Sequence, residues 1–170
     1  YGYLPLNNAN PATPRVVDGP NNDYWDNVDY IVNRAESLGM YIGFLPTWGR
    51  YYVNDPDKTI FTASNAYTYG QFLGSRYKDK PIIWILGGDC PADTESRKNI
   101  WREMARGIAT GVSGWADYSQ VIMTYHPWGE ASSSQWVHNE TWLDFNAVQS
   151  GARMYNNPCI YNLITTDYNK

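Results

Sequence analysis

Asp89 stands where a chain could place an acid–base group. It follows six apolar residues, Pro81-Ile-Ile-Trp-Ile-Leu86, and two glycines. The glycines let the backbone turn and approach a ligand closely. A carboxylate at the mouth of an apolar wall can act as a general acid. The same position also suits a helix N-cap or an Asx turn, and spacing alone does not choose between these roles. His126, in Tyr125-His126-Pro127-Trp128-Gly129, could be an acid–base group, a hydrogen-bond donor to a substrate or a structural loop residue. The only other histidine, His138, is twelve positions away without a third ligand at defined spacing, a poor basis for a zinc site. No metal or other cofactor is expected. Gly-x-Ser-x-Gly, Gly-x-Gly-x-x-Gly and the phosphate-cradling Gly-x-x-x-x-Gly-Lys are absent, so neither an esterase elbow nor a nucleotide loop is indicated. Asn139-Glu140-Thr141 fits a glycosylation sequon, a pattern short enough to arise by chance.

These residues need a frame. The first 22 positions carry Pro5, Pro11, Pro14 and Pro20 with several Asn, which predicts a loop. Trp25, Val28, Ile31, Val32, Ala35 and Leu38 fall on one helical face and predict a helix over 23–38, stopped by Gly39. The run 40–46 is nearly all apolar and does not alternate, which predicts a strand covered on both faces. A loop over 47–61 holds Trp48, Tyr51 and Tyr52, and a second helix is expected over 63–78. Residues 81–86 predict a second buried strand. A third helix spans 94–110 with Thr94 as N-cap. Strands follow at 120–125 and 143–148, and a last helix at 158–168 should bury Ile160, Leu163 and Ile164. This βαβαβ series predicts α/β architecture with parallel strands and right-handed crossovers. Trp48, Asp89, His126, Trp128, Gln149 and Ser150 then follow the strands on their carboxyl side, where parallel α/β folds bind ligands.

Composition narrows the partners. The 170 residues suit one domain able to bury a core. The formal net charge is -4 with a pI near 5.0 and no basic run, which argues against nucleic acid or an anionic membrane surface as partner. No apolar stretch is long enough for a transmembrane helix, and the residues after Tyr1 do not resemble a signal peptide. Such a start implies a mature form, a fragment or an excerpt. Aromatic residues make up 16% of the chain, with 8 Trp and 15 Tyr. Their flat faces and polar edges suit sugar rings, and they equally fill cores. Cys90 and Cys159 do not decide the redox compartment.

Five segments carry a resemblance. They are Asp23-Tyr-Trp-Asp-Asn-Val-Asp-Tyr-Ile-Val32, Tyr41-Ile-Gly-Phe-Leu-Pro-Thr-Trp-Gly49, Ile83-Trp-Ile-Leu-Gly-Gly-Asp89, Met123-Thr-Tyr-His-Pro-Trp-Gly129 and Trp142-Leu-Asp-Phe-Asn-Ala-Val-Gln-Ser-Gly151. In this order, over nearly the whole chain, they resemble the apiosidase-like glycoside hydrolases. The resemblance implies a (β/α)8 barrel, of which this chain would carry strands three to six with their helices as one partial domain. It implies action on plant cell-wall polysaccharide side chains by a retaining-type carboxylate pair, outside the cytoplasm, secreted or at the periplasm or cell surface. Asp89 matches the acid/base position after the fourth barrel strand. Trp48 and Trp128 would stack on sugar, while Tyr125, His126 and Gln149 would bond its hydroxyls. The sequence departs from the family pattern at Ala152, where His is usual, and at Cys90, where a basic residue is expected. It also ends at Lys170, where the seventh strand and its nucleophile should begin; neither Glu130 nor Asp144 matches that group.

A closed barrel takes about 250 residues, and glycosidic cleavage takes two carboxyl groups, about 5–5.5 Å apart for retention. The expectation is therefore an active hydrolase if the 170 residues are part of a longer chain, and an inactive segment if they stand alone. A competing expectation is a non-catalytic carbohydrate-binding or assembly protein, its open sheet edges paired with another copy. An unrelated doubly wound domain would need no missing strands but leaves the five ordered segments unexplained.

Overall fold

The computed structural model describes residues 2–150 and 159–170. Its centre is a three-stranded parallel sheet in the order β1-β2-β3. These strands are β1 (Ile42–Phe44), β2 (Ile82–Gly87) and β3 (Ile122–His126). Ile42 pairs with Ile82, and Leu86 with Tyr125. Each crossover carries a long helix, α3 (Ala63–Arg76) and α4 (Glu95–Ser113). The expected α/β frame with parallel strands is present.

The helices begin where local chemistry starts them. In α1 (Tyr24–Ser37), Asp23 accepts the Asp26 N–H while the Asp26 carboxylate accepts the Asp23 N–H, a reciprocal capping box. Thr62 and Asn65 do the same for α3. Thr94 caps α4 as expected, and Gly114 ends it in the left-handed conformation at φ 87°. The α1 stripe is narrower than its periodicity suggested. Trp25 and Val32 are buried, but Ile31 and Leu38 are exposed, because α1 touches the body along one edge. Arg76 on α3 holds Asp29 of α1 through two hydrogen bonds of 2.9 and 2.7 Å, and the Tyr77 hydroxyl donates to the same carboxylate.

The core lies on the helical side of the sheet. Trp84, Leu86, Met123 and Tyr125 point there and pack with Leu73, Trp101, Met104 and Ile108, all buried. Four glycines bring α3 and α4 into backbone contact. A methyl group at Gly70 would overlap the Met104 carbonyl, and one at Gly74 that of Ile108. Reciprocally, a methyl at Gly107 would overlap the Tyr67 carbonyl, and one at Gly111 that of Gln71.

The opposite face departs from the expectation of two covered sides. Gly43 and Ile122 are exposed there, and Ile83 and Ile85 only half-buried. Thr124, on the same face of β3, is buried and its hydroxyl donates to the Phe145 carbonyl at 2.7 Å, so the cover reaches only one end of this face; β1 is three residues long where seven were expected.

Two further differences concern the second half. The expected strand 143–148 does not form a ladder with β3. The Asp144 N–H donates to the Met123 carbonyl at 3.0 Å, but the Met123 N–H is taken by the Asp144 carboxylate at 2.7 Å. A side chain thus occupies the place of the next backbone carbonyl. Val148–Gln149 (β5) instead pairs antiparallel with Ala131–Ser132 (β4). Between them lies the one-turn helix α5 (Ser134–Val137). The last helix, α6 (Cys159–Tyr168), leaves Ile160 and Ile164 exposed. Its described anchors are polar: the Asp167 carboxylate accepts from the Ser132 and Ser134 hydroxyls, and Lys170, just beyond the helix, donates to Ser134. Pro158, expected to open that helix, and Gly151 and Ala152 lie outside the described residues, as does the Cys159 side chain. No described helix is long and apolar enough to cross a membrane.

Candidate active site

The carboxyl end of β2 turns through three consecutive residues with positive φ, Gly87 (86°), Gly88 (107°) and Asp89 (49°). Glycine adopts this region freely, and Asp is among the few other residues that visit it at modest cost. Close packing also restricts the turn. A methyl group at Gly87 would overlap the His126 carbonyl, and one at Gly88 would lie 3.0 Å from the Trp48 ring. The Gly88 N–H donates to the His126 carbonyl at 3.0 Å, and its carbonyl accepts the Arg50 N–H at 2.9 Å. Arg50 lies in the short helix α2 (Gly49–Tyr52), a feature unforeseen within the expected loop. Gly49 makes room for this contact: a methyl there would sit 2.5 Å from the Cys90 sulfur.

This turn delivers the Asp89 side chain, half-buried, to the ends of the strands. The Gln149 amide donates to its Oδ1 at 2.8 Å. The Asp89 N–H points at Nδ1 of His126 at 3.3 Å, and the same nitrogen lies 3.0 Å from the Pro127 carbonyl. With Nδ1 unprotonated it accepts from Asp89; with Nδ1 protonated it donates to Pro127. In the first tautomer the Nε2–H is left as the ring's donor. The Trp48 ring packs on His126, with centroids 5.3 Å apart and planes at 54°. Asp89, His126, Gln149 and Trp48 therefore converge from four separate chain segments.

Trp128 follows two residues after His126 and is 53% exposed, leaving a large aromatic surface open at the same end of the sheet. Tyr125 was expected to bond a sugar hydroxyl, and its placement corrects that. It precedes His126 on β3, so it points to the opposite face. It is fully buried, packs edge-on against Trp101, and its hydroxyl donates to the Cys90 carbonyl at 2.8 Å. Burial pushes that phenol well above its ordinary pKa, so it stays a donor. Burial likewise pushes the Cys90 thiol up to about 11. This pair braces the chain directly after Asp89 from beneath. Sequence reading did not single out Gly49, Arg50 or Cys90 for this bracing, and Gly49 alone carries a hint, as a glycine directly after Trp48.

Among the described residues, no three His, Cys, Asp or Glu side chains gather as metal ligands. A cavity of about 630 Å³ lies at the other end of the strands, beside Met40, Tyr41, Pro81 and Ile122. It is distant from this constellation and at the end of a parallel sheet that seldom carries chemistry.

Comparison with known proteins agrees with this architecture. The chain is similar to a glycoside hydrolase family 5 protein from Bacteroides vulgatus, with 35% identity and a TM-score of 0.72 over 87% of this chain and 31% of that one. A second solved structure, described as a glycoside hydrolase, is 38% identical, with a TM-score of 0.65 over 77% of this chain and 27% of that one. The chain thus spans about a third or less of the solved structures it matches. No curated protein matches it. The family model for the apiosidase-like catalytic domain matches residues 1–170. The chain belongs to the apiosidase-like family, by its catalytic domain.

Proposed function

We propose that these residues form strands three to six of a (β/α)8 glycoside hydrolase barrel acting on plant cell-wall polysaccharide side chains, with Asp89 as its acid/base. The observation that carries this reading is the turn at 87–89, which sets one carboxylate at the carboxyl end of β2, oriented by Gln149. In the first step the protonated Asp89 gives its proton to the glycosidic oxygen as the bond to the anomeric carbon breaks. A second carboxylate, supplied from outside these 170 residues, attacks that carbon. In the second step Asp89 takes a proton from water, whose oxygen displaces the carboxylate. His126 and Gln149 serve as hydrogen-bonding groups for sugar hydroxyls, and Trp48 and Trp128 as stacking faces. Neither a metal nor an organic cofactor takes part in these steps. A substrate of this kind is met outside the cytoplasm, in a secreted, periplasmic or cell-surface setting.

Support for the barrel reading comes from the partly uncovered second face of the sheet. In a closed barrel that face is filled by side chains from the other strands. The same face, with the free edge of β1, also favours a second reading, a non-catalytic protein that pairs these surfaces with another copy.

The deciding variant is Asp89→Asn in the full-length parent, assayed on pectic oligosaccharides. Asn tolerates the left-handed backbone, so the fold should be kept. Turnover should fall by about 10²–10⁴, the contribution of a general acid. Unchanged turnover would remove Asp89 from the mechanism.

A further inference from the structure

Trp48 belongs to two neighbourhoods. Its ring packs on His126, and it also walls a cavity of about 610 Å³ that neither His126 nor Asp89 lines. Five rings surround this space, those of Tyr24, Trp48, Tyr52, Phe61 and Tyr69, and no charged side chain lines it. The volume is ordinary for a small-molecule pocket, which runs about 300–1,000 Å³.

The backbone carbonyls of the wall are largely spent. The Pro5 carbonyl accepts the Trp25 indole N–H and the Arg15 N–H. The Pro46 carbonyl accepts the Tyr69 hydroxyl at 3.2 Å. The Trp48 carbonyl accepts from Tyr51 and Tyr52, and the Tyr52 carbonyl from Ile60 and Phe61. A sugar ring entering here would give up water at all its hydroxyls. Among the described residues it would find as unpaired side-chain partners the Tyr24, Thr47 and Tyr52 hydroxyls and the Trp48 indole N–H, and each hydroxyl left buried and unpaired is unfavourable. A flat uncharged ring has far fewer hydrogen bonds to water to lose than a sugar and gains edge and offset contacts with the walls.

We propose that this cavity binds an uncharged aryl group carried by the glycan substrate, as an aryl ester or aryl aglycone, with Trp48 the wall shared between it and the acid–base site. The link to a glycan rests on the hydrolase reading above; the aryl preference rests on the cavity itself.

Calorimetric titration of the full-length parent tests it, with methyl ferulate as the aryl probe and methyl β-D-glucopyranoside as the sugar probe. Methyl ferulate should bind saturably with one site, and the glucoside should not saturate that site. Leu4 and Tyr52 both line the cavity and are 63% and 41% exposed, so Leu4→Trp, which fills it, and Tyr52→Ala, which removes a wall, should both fold. Each should weaken methyl ferulate by about ten-fold or more. Asp89→Asn should leave that binding unchanged. Absent saturation, affinity unaltered in both cavity variants, or glucoside binding that both cavity variants abolish would overturn the proposal. The two readings fail separately: a full-length parent that turns over glycan through Asp89 without an aryl site defeats only the cavity. An aryl site in a protein without Asp89-dependent turnover defeats only the hydrolase.

Discussion

Asp23 is almost wholly buried, yet it is held as a carboxylate. Burial by itself would raise its pKa, but N–H groups of Val17, Asp26 and Trp25 outweigh that and keep it below the usual range. The Val17 contact is 2.6 Å and ties the N-terminal loop to the start of α1. Because the folded-state pKa lies below the unfolded value of about 3.9, this stabilisation is present above that value and is lost as pH falls through the folded pKa. Replacing Asp23 with Ala should lower stability at pH 7 by about 0.5–2 kcal/mol, the range for a lost N-cap. In urea unfolding, the gap between wild type and variant should shrink by pH 3; an undiminished gap would mean that the charge contributes nothing. At this same scale, the position of Asp89 and His126 at the carboxyl ends of their strands was legible in the sequence, Asp89 after two glycines and His126 at the close of an apolar run. Tyr125 was misread, since adjacency to His126 in sequence places it on the far face of a strand. The sequence could not reveal that Gln149 would reach Asp89, because that contact depends on how a short β-ribbon folds back.

Elements were legible where local signals agree. Both crossover helices start at a polar cap where expected, α3 ending two residues before and α4 three residues after its expected end, and β2 and β3 fall within two residues of their apolar runs. The fourth strand failed because one side chain, that of Asp144, competes with the backbone for the Met123 N–H. The long burial of 40–46 failed because the pattern assumed a neighbour on each side, and β1 has one. The glycines of α3 and α4 were not read as packing features, yet they decide how closely the helices approach. Exposed helical Gly→Ala changes usually stabilise by about 1 kcal/mol. Gly107→Ala should do the reverse, since the methyl has only backbone to displace, and overpacking of this kind costs about 1–3 kcal/mol. A fall in melting temperature of about 2–8 °C is expected by calorimetry; a rise would show that the helices separate freely.

For the molecule as a whole, what matters is what the sheet leaves uncovered. The helix-covered side is densely packed, while Gly43, Ile83, Ile85 and Ile122 form an apolar strip with a free strand edge at β1. Exposed edges and faces of this kind pair with whatever chain is available. The 170-residue protein should therefore elute earlier with rising concentration in size-exclusion chromatography with light scattering. A constant 19.5 kDa species across the range would show that the strip is tolerated in water. This property was within reach of the sequence once the number of strands was counted against a barrel, although the ordering of the second half was not.

The glycine contacts between α3 and α4 also divide the molecule by rate of opening. Helices locked backbone to backbone, with β2 beneath them, open only together, and their amides would exchange with solvent slowly. The ribbon of β4 and β5, two residues to a strand, is held by few ladder hydrogen bonds and would exchange faster. Asp89 hangs from the slow body and Gln149 from the fast one. The hydrogen bond between Asp89 and Gln149 is therefore a junction between two clocks, and the carboxylate can part from that amide without any loosening of the core that carries it.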